Sequence, residues 1–175
     1  MTGRAELIVF IEEEISKKRA ELLVQNTSEP EKLAATLWDF VLLNKHPLSW
    51  RSMWFLEHLA AENRAVAQPY LNAIVKAFPS FKFDGQKRSA MKILLMFPVK
   101  YYDYEMMLNT AFDLLLSNDE PVAVRMFSMR LLFEIVKIEP ELKGELKESI
   151  TFIIPHAQKG LLSAARDVLK RLEIK

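Results

Sequence analysis

The chain has 175 residues, half of them hydrophobic and 27% charged, which suits one domain with a sizeable core and excludes a disordered protein. Because it contains no cysteine, disulfides, thiolate metal sites and cysteine nucleophiles are excluded. Its 24 Lys and Arg nearly balance 23 Asp and Glu, and a formal net charge of +1 argues against affinity that depends mainly on phosphate contacts.

Two stretches of the sequence bear on location. The first 14 residues, MTGRAELIVFIEEE, are acidic where a signal peptide would need a longer apolar run and a small-residue cleavage site. The longest apolar run, Ile93 to Val99, is far too short to cross a bilayer. We therefore expect a cytoplasmic protein with no membrane partner.

The β-branched residues never alternate with polar ones over a strand's length, and apolar residues from Val124 to Ile138 recur at spacings of three and four, so the sequence favours helices. In chain order we expect a capping helix at 4–24 and then four helical hairpins. The first helices of the hairpins are predicted at 31–44, 64–78, 101–117 and 140–156. The second helices are predicted at 48–61, 85–97, 121–138 and 160–173. The domain, 1–175, would then divide into repeats at about 31–63, 64–100, 101–139 and 140–175.

An internal repeat supports this division. The segment WDFVLLN at 38–44 reappears as FDLLLSN at 112–118, an offset of 74 residues, and PLSWR at 47–51 reappears as PVAVR at 121–125 with the same offset. Arg88 lies halfway, 37 residues from the arginine that ends each of the latter two segments. A period near 37 falls in the range of helical-hairpin repeats.

The third hairpin carries the most specific pattern. Asp119 stands in the turn, and Val124-Arg125 follows with small and apolar residues behind it; AARDVL at 164–169 is similar. This pattern resembles the HEAT repeat, although Lys45 and Lys82 replace the aspartate in the first two hairpins. The resemblance implies an all-α fold, an α–α superhelix of about four HEAT-like helical hairpins with an N-terminal capping helix.

In HEAT-like solenoids the second helices line the concave face. The predicted second helices sum to a formal charge of +6 and the first helices to −3, so the resemblance implies a basic concave face. The candidate binding residues are Arg51, Lys87, Arg88, Lys92, Arg125, Arg130 and Arg166. Two alternatives stay open: the charges are an ordinary solvated face, or the arginines at 51, 88 and 125 bond to helix-end carbonyls.

No motif for a catalytic, metal or phosphate-binding site occurs, and the three histidines, His46, His58 and His156, share no metal-ligand spacing. We expect no cofactor. Trp38, Trp50 and Trp54 lie in apolar helices and are predicted to be core residues.

The sequence therefore predicts a non-catalytic adaptor or scaffold that binds a protein or peptide partner, an acidic one if the basic face is functional. One alternative is nucleic-acid binding, including a protein similar to the HEAT-like DNA glycosylases, which use an aromatic residue and an aspartate in a basic groove. Trp38 and Asp39 are such a pair, but they fall on a first helix, away from the predicted groove. A second alternative is a homodimer formed through the terminal helices.

Overall fold

A computed structural model of the protein describes residues 3–173. Within that range the regular structure consists of α-helices and short 3-10 turns, with no strand, so the all-α prediction is confirmed. The chain divides into two compact units, Met1–Met96 (unit 1) and Phe97–Lys175 (unit 2).

The N-terminal segment forms two helices, α1 (Arg4–Glu13) and α2 (Lys17–Gln25), and the predicted single capping helix at 4–24 is wrong. The backbone of Glu14 is extended, which ends α1. Ser16 is the N-cap residue of α2, and its hydroxyl accepts a hydrogen bond of 3.3 Å from the backbone N–H of Arg19. Serine at an N-cap satisfies one of the free donors of a helix start, and this contact stabilises the break.

The rest of unit 1 contains α3 (Pro30–Leu42), α4 (Leu48–Glu62), α5 (Arg64–Ala67), α6 (Leu71–Ala77) and α7 (Asp84–Leu95). The predicted helix at 64–78 is thus two helices, joined by a 3-10 turn that contains Pro69. A proline lacks the backbone donor that a continuous α-helix needs, so the chain tightens at this point.

Unit 2 contains α8 (Glu105–Leu116), α9 (Val122–Val136), α10 (Lys143–Ile153) and α11 (Lys159–Glu173). The helix predicted from residue 101 begins four residues later, because Tyr102 is extended and a 3-10 turn covers Val99–Tyr101. The helix predicted from residue 140 also begins later, at Lys143, because a 3-10 turn covers Pro140–Leu142. The remaining helix boundaries agree with the sequence prediction to within a few residues.

Each unit is built around one 15-residue helix. In unit 1, α4 packs against α1, α2, α3, α5 and α7, and it buries Met53, Phe55 and Leu56 almost completely. In unit 2, α9 packs against α8, α10 and α11 and buries Leu131 and Leu132. The helices α4 and α9 are therefore the central helices of their units.

The core registers of α4 and α9 are related by 76 residues, the interval from Ser52-Met53 to Ser128-Met129, all of which are fully buried. The sequence offset of 74 holds for α3 and α8, but it misaligns the second helices by two residues. By core register the counterpart of Arg125 is Ser49, not Arg51. Arg51 and Arg125, which share the sequence offset of 74, therefore occupy different positions on their helices.

Candidate functional site

The helices α4 and α7 of unit 1 approach each other closely at the start of α7. A Cβ atom added to Gly85 would lie 2.9 Å from Cε3 of the Trp50 ring, which is closer than real side-chain contacts allow. A larger residue at this point would require Trp50 or α7 to shift, because the Trp50 side chain lies against the first turn of α7.

A buried carboxylate links the same two helices further along. Glu57 on α4 is only 4% exposed, and its carboxylate accepts a 2.7 Å hydrogen bond from the Ser89 hydroxyl and another from Lys92, both on α7. Burying a carboxylate is costly unless such partners are present. The link sets the register of α4 against α7, and it neutralises the positive charge of Lys92.

A row of rings runs along α4 at intervals of four residues. Trp50, Trp54 and His58 are all half-buried, and the ring centroids of Trp54 and His58 are 4.0 Å apart. His58 Nδ1 lies 2.9 Å from the carbonyl oxygen of Trp54. The tryptophans were predicted to be core residues, but Trp38, Trp50 and Trp54 are all half-buried, and each keeps part of its surface exposed.

Beside Trp50 lies an open cleft of about 460 Å³, called here the Trp50–Arg88 cleft. It is lined by His46, Trp50, Lys82, Phe83, Asp84, Gly85 and Arg88. The ring centroids of His46 and Phe83 are 5.5 Å apart, and those of His46 and Trp50 are 6.4 Å apart. Within residues 3–173, Arg88 makes no ion pair or hydrogen bond, so its guanidinium faces the cleft without a protein partner.

Two of the predicted binding arginines are bonded to helix ends. In unit 1, Arg51 Nη1 donates to the carbonyl oxygens of Ile11 and Glu12 at 3.1 and 2.7 Å, the last turn of α1. In unit 2, Arg125 is 8% exposed and its Nε donates to the Leu115 carbonyl at 3.0 Å, near the end of α8. These contacts satisfy carbonyls that a helix end leaves free. Burial lowers the pKa of the Arg125 guanidinium.

The other predicted residues divide between the units. Unit 1 brings Lys87, Arg88 and Lys92 together on α7, all half-buried. In unit 2, Arg130 is exposed on α9, with its Cζ 5.4 Å from the Phe127 ring centroid, and Arg166 is exposed on α11.

The sequence interpretation missed the aromatic side of the cleft. Trp50, Trp54 and His58 recur every four residues along one predicted helix, which indicates a single face, but this signal was read as core. His46 and Phe83 come from the turns before α4 and α7, and their proximity to Trp50 depends on how the two helices pack.

The aromatic–acid pair proposed for a glycosylase lies elsewhere in unit 1. Asp39 on α3 is exposed and forms an ion pair with Arg4 at 2.7 Å, while the Trp38 ring centroid is 5.9 Å from that of Tyr70. Burial, together with the Asp39 charge, raises the pKa of Tyr70. Neither residue lines the Trp50–Arg88 cleft.

Metal sites and membrane spans are absent from the part of the chain that the structure describes. Between residues 3 and 173 no group of three or more His, Cys, Asp or Glu side chains is arranged to hold a metal ion. None of the helices in that range has both the length and the apolar composition that a bilayer span requires.

Comparison with known proteins gives one result. No curated protein and no solved structure matches the chain significantly. The family model described as HEAT repeat domain matches residues 10–172, which covers most of both units. The chain therefore belongs to the HEAT repeat domain family.

Proposed function

We propose that the protein is a non-catalytic, protein-binding scaffold that docks an acidic segment of its partner in the Trp50–Arg88 cleft. HEAT repeat domains commonly mediate protein interactions, which supports binding as the general function. The observation that carries the specific proposal is Arg88, a cation without a partner among the described residues, in one cleft with the Trp50 ring.

The composition of the cleft supports a protein ligand. Trp and Arg are the residues most enriched at interface hot spots, because one supplies a large apolar area and the other a planar set of donors. A partner Asp or Glu can receive two parallel hydrogen bonds from the Arg88 guanidinium. An apolar neighbour in the partner would then pack against Trp50 and Phe83.

The charge of the cleft supports an acidic but small contact. Lys82 and Arg88 are cations, and Asp84 offsets one of them. Lys92 contributes little, because Glu57 neutralises it. One or two acidic side chains in the partner segment therefore suffice, and we expect binding to weaken only moderately as salt rises.

Peptide selection followed by direct titration tests the proposal. Twelve-residue random peptides displayed on phage are selected on the intact chain, and the enriched peptides are synthesised with a fluorophore. We expect Asp or Glu beside an aliphatic or aromatic residue, and about 30-fold weaker binding to Arg88→Ala by fluorescence anisotropy, which corresponds to a hot-spot loss of about 2 kcal/mol.

The matched control is Arg130→Ala, an exposed arginine on the second helix of unit 2. It should leave the affinity of the same peptides unchanged, and circular dichroism should show that both variants keep their helices. Equal losses in the two variants, or selected peptides without acidic residues, would contradict the proposed site.

Nucleic-acid binding is the second candidate, because the same cleft pairs an aromatic ring with an arginine. A base could stack on Trp50 while a phosphate meets Arg88. Titration with single-stranded oligonucleotides at several salt concentrations separates the two candidates. Binding through several phosphates would give a steep fall of log K with log salt, whereas we expect no measurable oligonucleotide binding near physiological salt.

Two further expectations from the sequence stay predictions. A homodimer through the terminal helices would appear in sedimentation equilibrium as a mass twice that of the 20.3 kDa chain. A cytoplasmic location is supported by the absence of cysteine, which suits a reducing compartment, and imaging of a tagged chain would test it.

A further inference from the structure

A second, smaller cleft lies at the N-terminal end of unit 1. It has a volume of about 220 Å³ and lies among α1, the end of α2 and the first turns of α3. It is lined by Gly3, Arg4, Leu7, Leu23, Asn26, Thr27, Ser28, Glu29, Lys32, Leu33 and Thr36. None of these residues belongs to the Trp50–Arg88 cleft, so this N-terminal cleft is independent of the proposed function.

The apolar part of the N-terminal cleft consists of one leucine from each of three helices. Leu7 of α1, Leu23 of α2 and Leu33 of α3 are each between 5 and 8% exposed. Their remaining exposed surface faces the cleft that they line. An apolar group placed there would cover that surface and gain the free energy of its removal from water.

The charged residues around the cleft are already paired with opposite charges. Arg4 binds Asp39 at 2.7 Å, and Lys32 binds Glu29 at 3.2 Å. An anion would therefore compete with Asp39 for Arg4, and a cation would compete with Lys32 for Glu29. The cleft therefore disfavours both anions and cations.

One edge of the cleft keeps unused hydrogen-bonding capacity. The Thr36 hydroxyl donates to the Lys32 carbonyl and the Asn26 amide donates to the Leu22 carbonyl, at 2.9 and 2.8 Å. The hydroxyl groups of Thr27 and Ser28 have no hydrogen-bond partner within residues 3–173. A ligand with a single donor or acceptor could bond to this edge while its apolar part covers the leucines.

We propose that the N-terminal cleft binds a small, uncharged and largely apolar group with one hydrogen-bonding atom, about the size of an indole or phenol ring. The size follows from the volume, since an apolar cavity of roughly 150 Å³ is enough to bind benzene in another protein. The chemistry follows from the three leucines, the two paired charges and the two unpaired hydroxyls.

The first experiment titrates indole into the 15N-labelled chain and follows the amide resonances. We expect saturable shifts at Leu7, Leu23, Ser28 and Leu33, with a dissociation constant on the order of a millimolar, as for other fragments of this size. Benzoate and benzylamine, which carry a charge on a ring of similar size, should bind at least about tenfold more weakly. Charged probes that bind as well as indole would overturn the proposal.

Filling the cleft provides the matched pair of variants. Thr36→Leu adds an apolar side chain inside the cleft and should abolish the indole shifts. Thr151→Leu makes the same change on α10, where the Thr151 hydroxyl donates to the carbonyl four residues earlier just as that of Thr36 does. It should leave indole binding unchanged, and unchanged binding in Thr36→Leu would also overturn the proposal.

The role of the paired charges has its own test. Asp39→Asn removes the partner of Arg4 and should let benzoate bind about tenfold more tightly, while indole binding changes little. Equal benzoate affinity in the variant and the original chain would contradict the argument that charge pairing excludes anions.

One more ligand tests whether the apolar group that binds in the N-terminal cleft belongs to a protein or to a free small molecule. N-acetyl-tryptophanamide places the same ring on a peptide backbone. If it binds about as well as indole, the cleft takes a side chain of another protein; if it does not bind while indole does, the cleft takes a free small molecule. If neither binds, the proposal fails.

Discussion

Units 1 and 2 build the same pair of hairpins with different chemistry at equivalent positions. In unit 1 a buried Glu57 joins the second helices through Ser89 and Lys92. In unit 2 the counterpart by core register is Phe133, and Arg171 of α11 stacks over its ring with Cζ 4.3 Å from the centroid. In both units two second helices meet at this position. The contact between them is an ion pair in unit 1 and a cation–ring contact in unit 2.

The ends of the first helices differ in the same way. In unit 1 the Phe40 carbonyl of α3 accepts from the Ser49 hydroxyl at 2.7 Å, and the Val41 carbonyl accepts from the Gln86 amide at 3.0 Å. In unit 2 the Leu115 carbonyl of α8 accepts from Arg125. A free helix-end carbonyl must find a donor when it is buried, and the donor can come from either neighbouring helix.

The largest expected loss of stability distinguishes the two ways of bonding the helix-end carbonyls. Arg125→Ala should lower the free energy of unfolding by about 2–3 kcal/mol, because it removes a charged donor from a buried carbonyl and leaves a gap in the core. Ser49→Ala, at the equivalent position of unit 1, should cost about 1 kcal/mol. Urea unfolding followed by circular dichroism measures both, and equal losses would contradict the difference between the units.

The Glu57 link should show a slightly smaller effect. Lys92→Ala leaves the buried Glu57 carboxylate with one hydrogen-bond donor, and since the Lys92 side chain is 35% exposed we expect a loss of about 2 kcal/mol in unfolding free energy. Glu57→Leu combined with Lys92→Leu gives unit 1 the apolar chemistry of unit 2. The double variant should unfold within about 1 kcal/mol of the original chain in the same assay; a larger loss would mean that unit 1 requires the ion pair.

Two glycines in the first turns of their helices should respond in opposite directions. Gly85→Ala forces a methyl group into the Trp50 ring and should cost about 1 kcal/mol of unfolding free energy. Gly144→Ala, on α10 of unit 2, meets no atom within 4 Å and should stabilise by about 0.5–1 kcal/mol, because alanine favours the helix. Thermal unfolding compares them directly, and a stabilising Gly85→Ala would show that α7 does not need its close approach to Trp50.

The smallest effect concerns a contact at the first helix of unit 2. Tyr104, at the start of α8, donates a hydrogen bond to Glu139, and this raises the pKa of Tyr104 to about 12 while it lowers the pKa of Glu139. Because the folded chain holds the tyrosine proton more tightly than the unfolded chain, this stabilisation is complete below pH 10 and is lost as the pH rises toward 12.

Ultraviolet titration of the tyrosines should therefore show a late-titrating group that Glu139→Gln shifts toward lower pH. Burial also raises the pKa of Tyr70 and of Tyr102, and Glu139→Gln should leave the titration of these two unchanged. At the acid end the lowered pKa of Glu139 has the opposite sign, so its contribution is present at neutral pH and is lost as the carboxylate becomes protonated. A tyrosine titration that is unchanged in Glu139→Gln would contradict this contact.

The helical hairpins were predictable because their apolar periodicity is strong, and the HEAT resemblance rested on Asp119 and Val124-Arg125. The register of the second helices was not. The matching PLSWR and PVAVR segments reflect similar turns, whereas the core register is set by Ser52-Met53 and Ser128-Met129, two residues out of step. A sequence repeat at a turn does not determine which side chain faces the core two turns later.

The candidate site was only partly predictable for a related reason. Arg88 and Lys92 were found by counting charges, but the count could not show that Glu57 neutralises one of them. The cleft depends on the approach of Gly85 to Trp50, and no residue pattern in the sequence specifies that distance. Contacts between helices that are distant in sequence decide which charges remain available.

The central positions of α4 and α9 also determine how the molecule opens. Each of these helices is surrounded by other helices of its own unit, whereas α1 is tied to α4 partly by the single side chain of Arg51. Amide hydrogens should therefore exchange with solvent slowest at 48–62 and 122–136, and among the helices of unit 1 fastest at the end of α1. Local opening of unit 1 would begin at its first helix, while α3, α4 and α7 stay closed around the Trp50–Arg88 cleft.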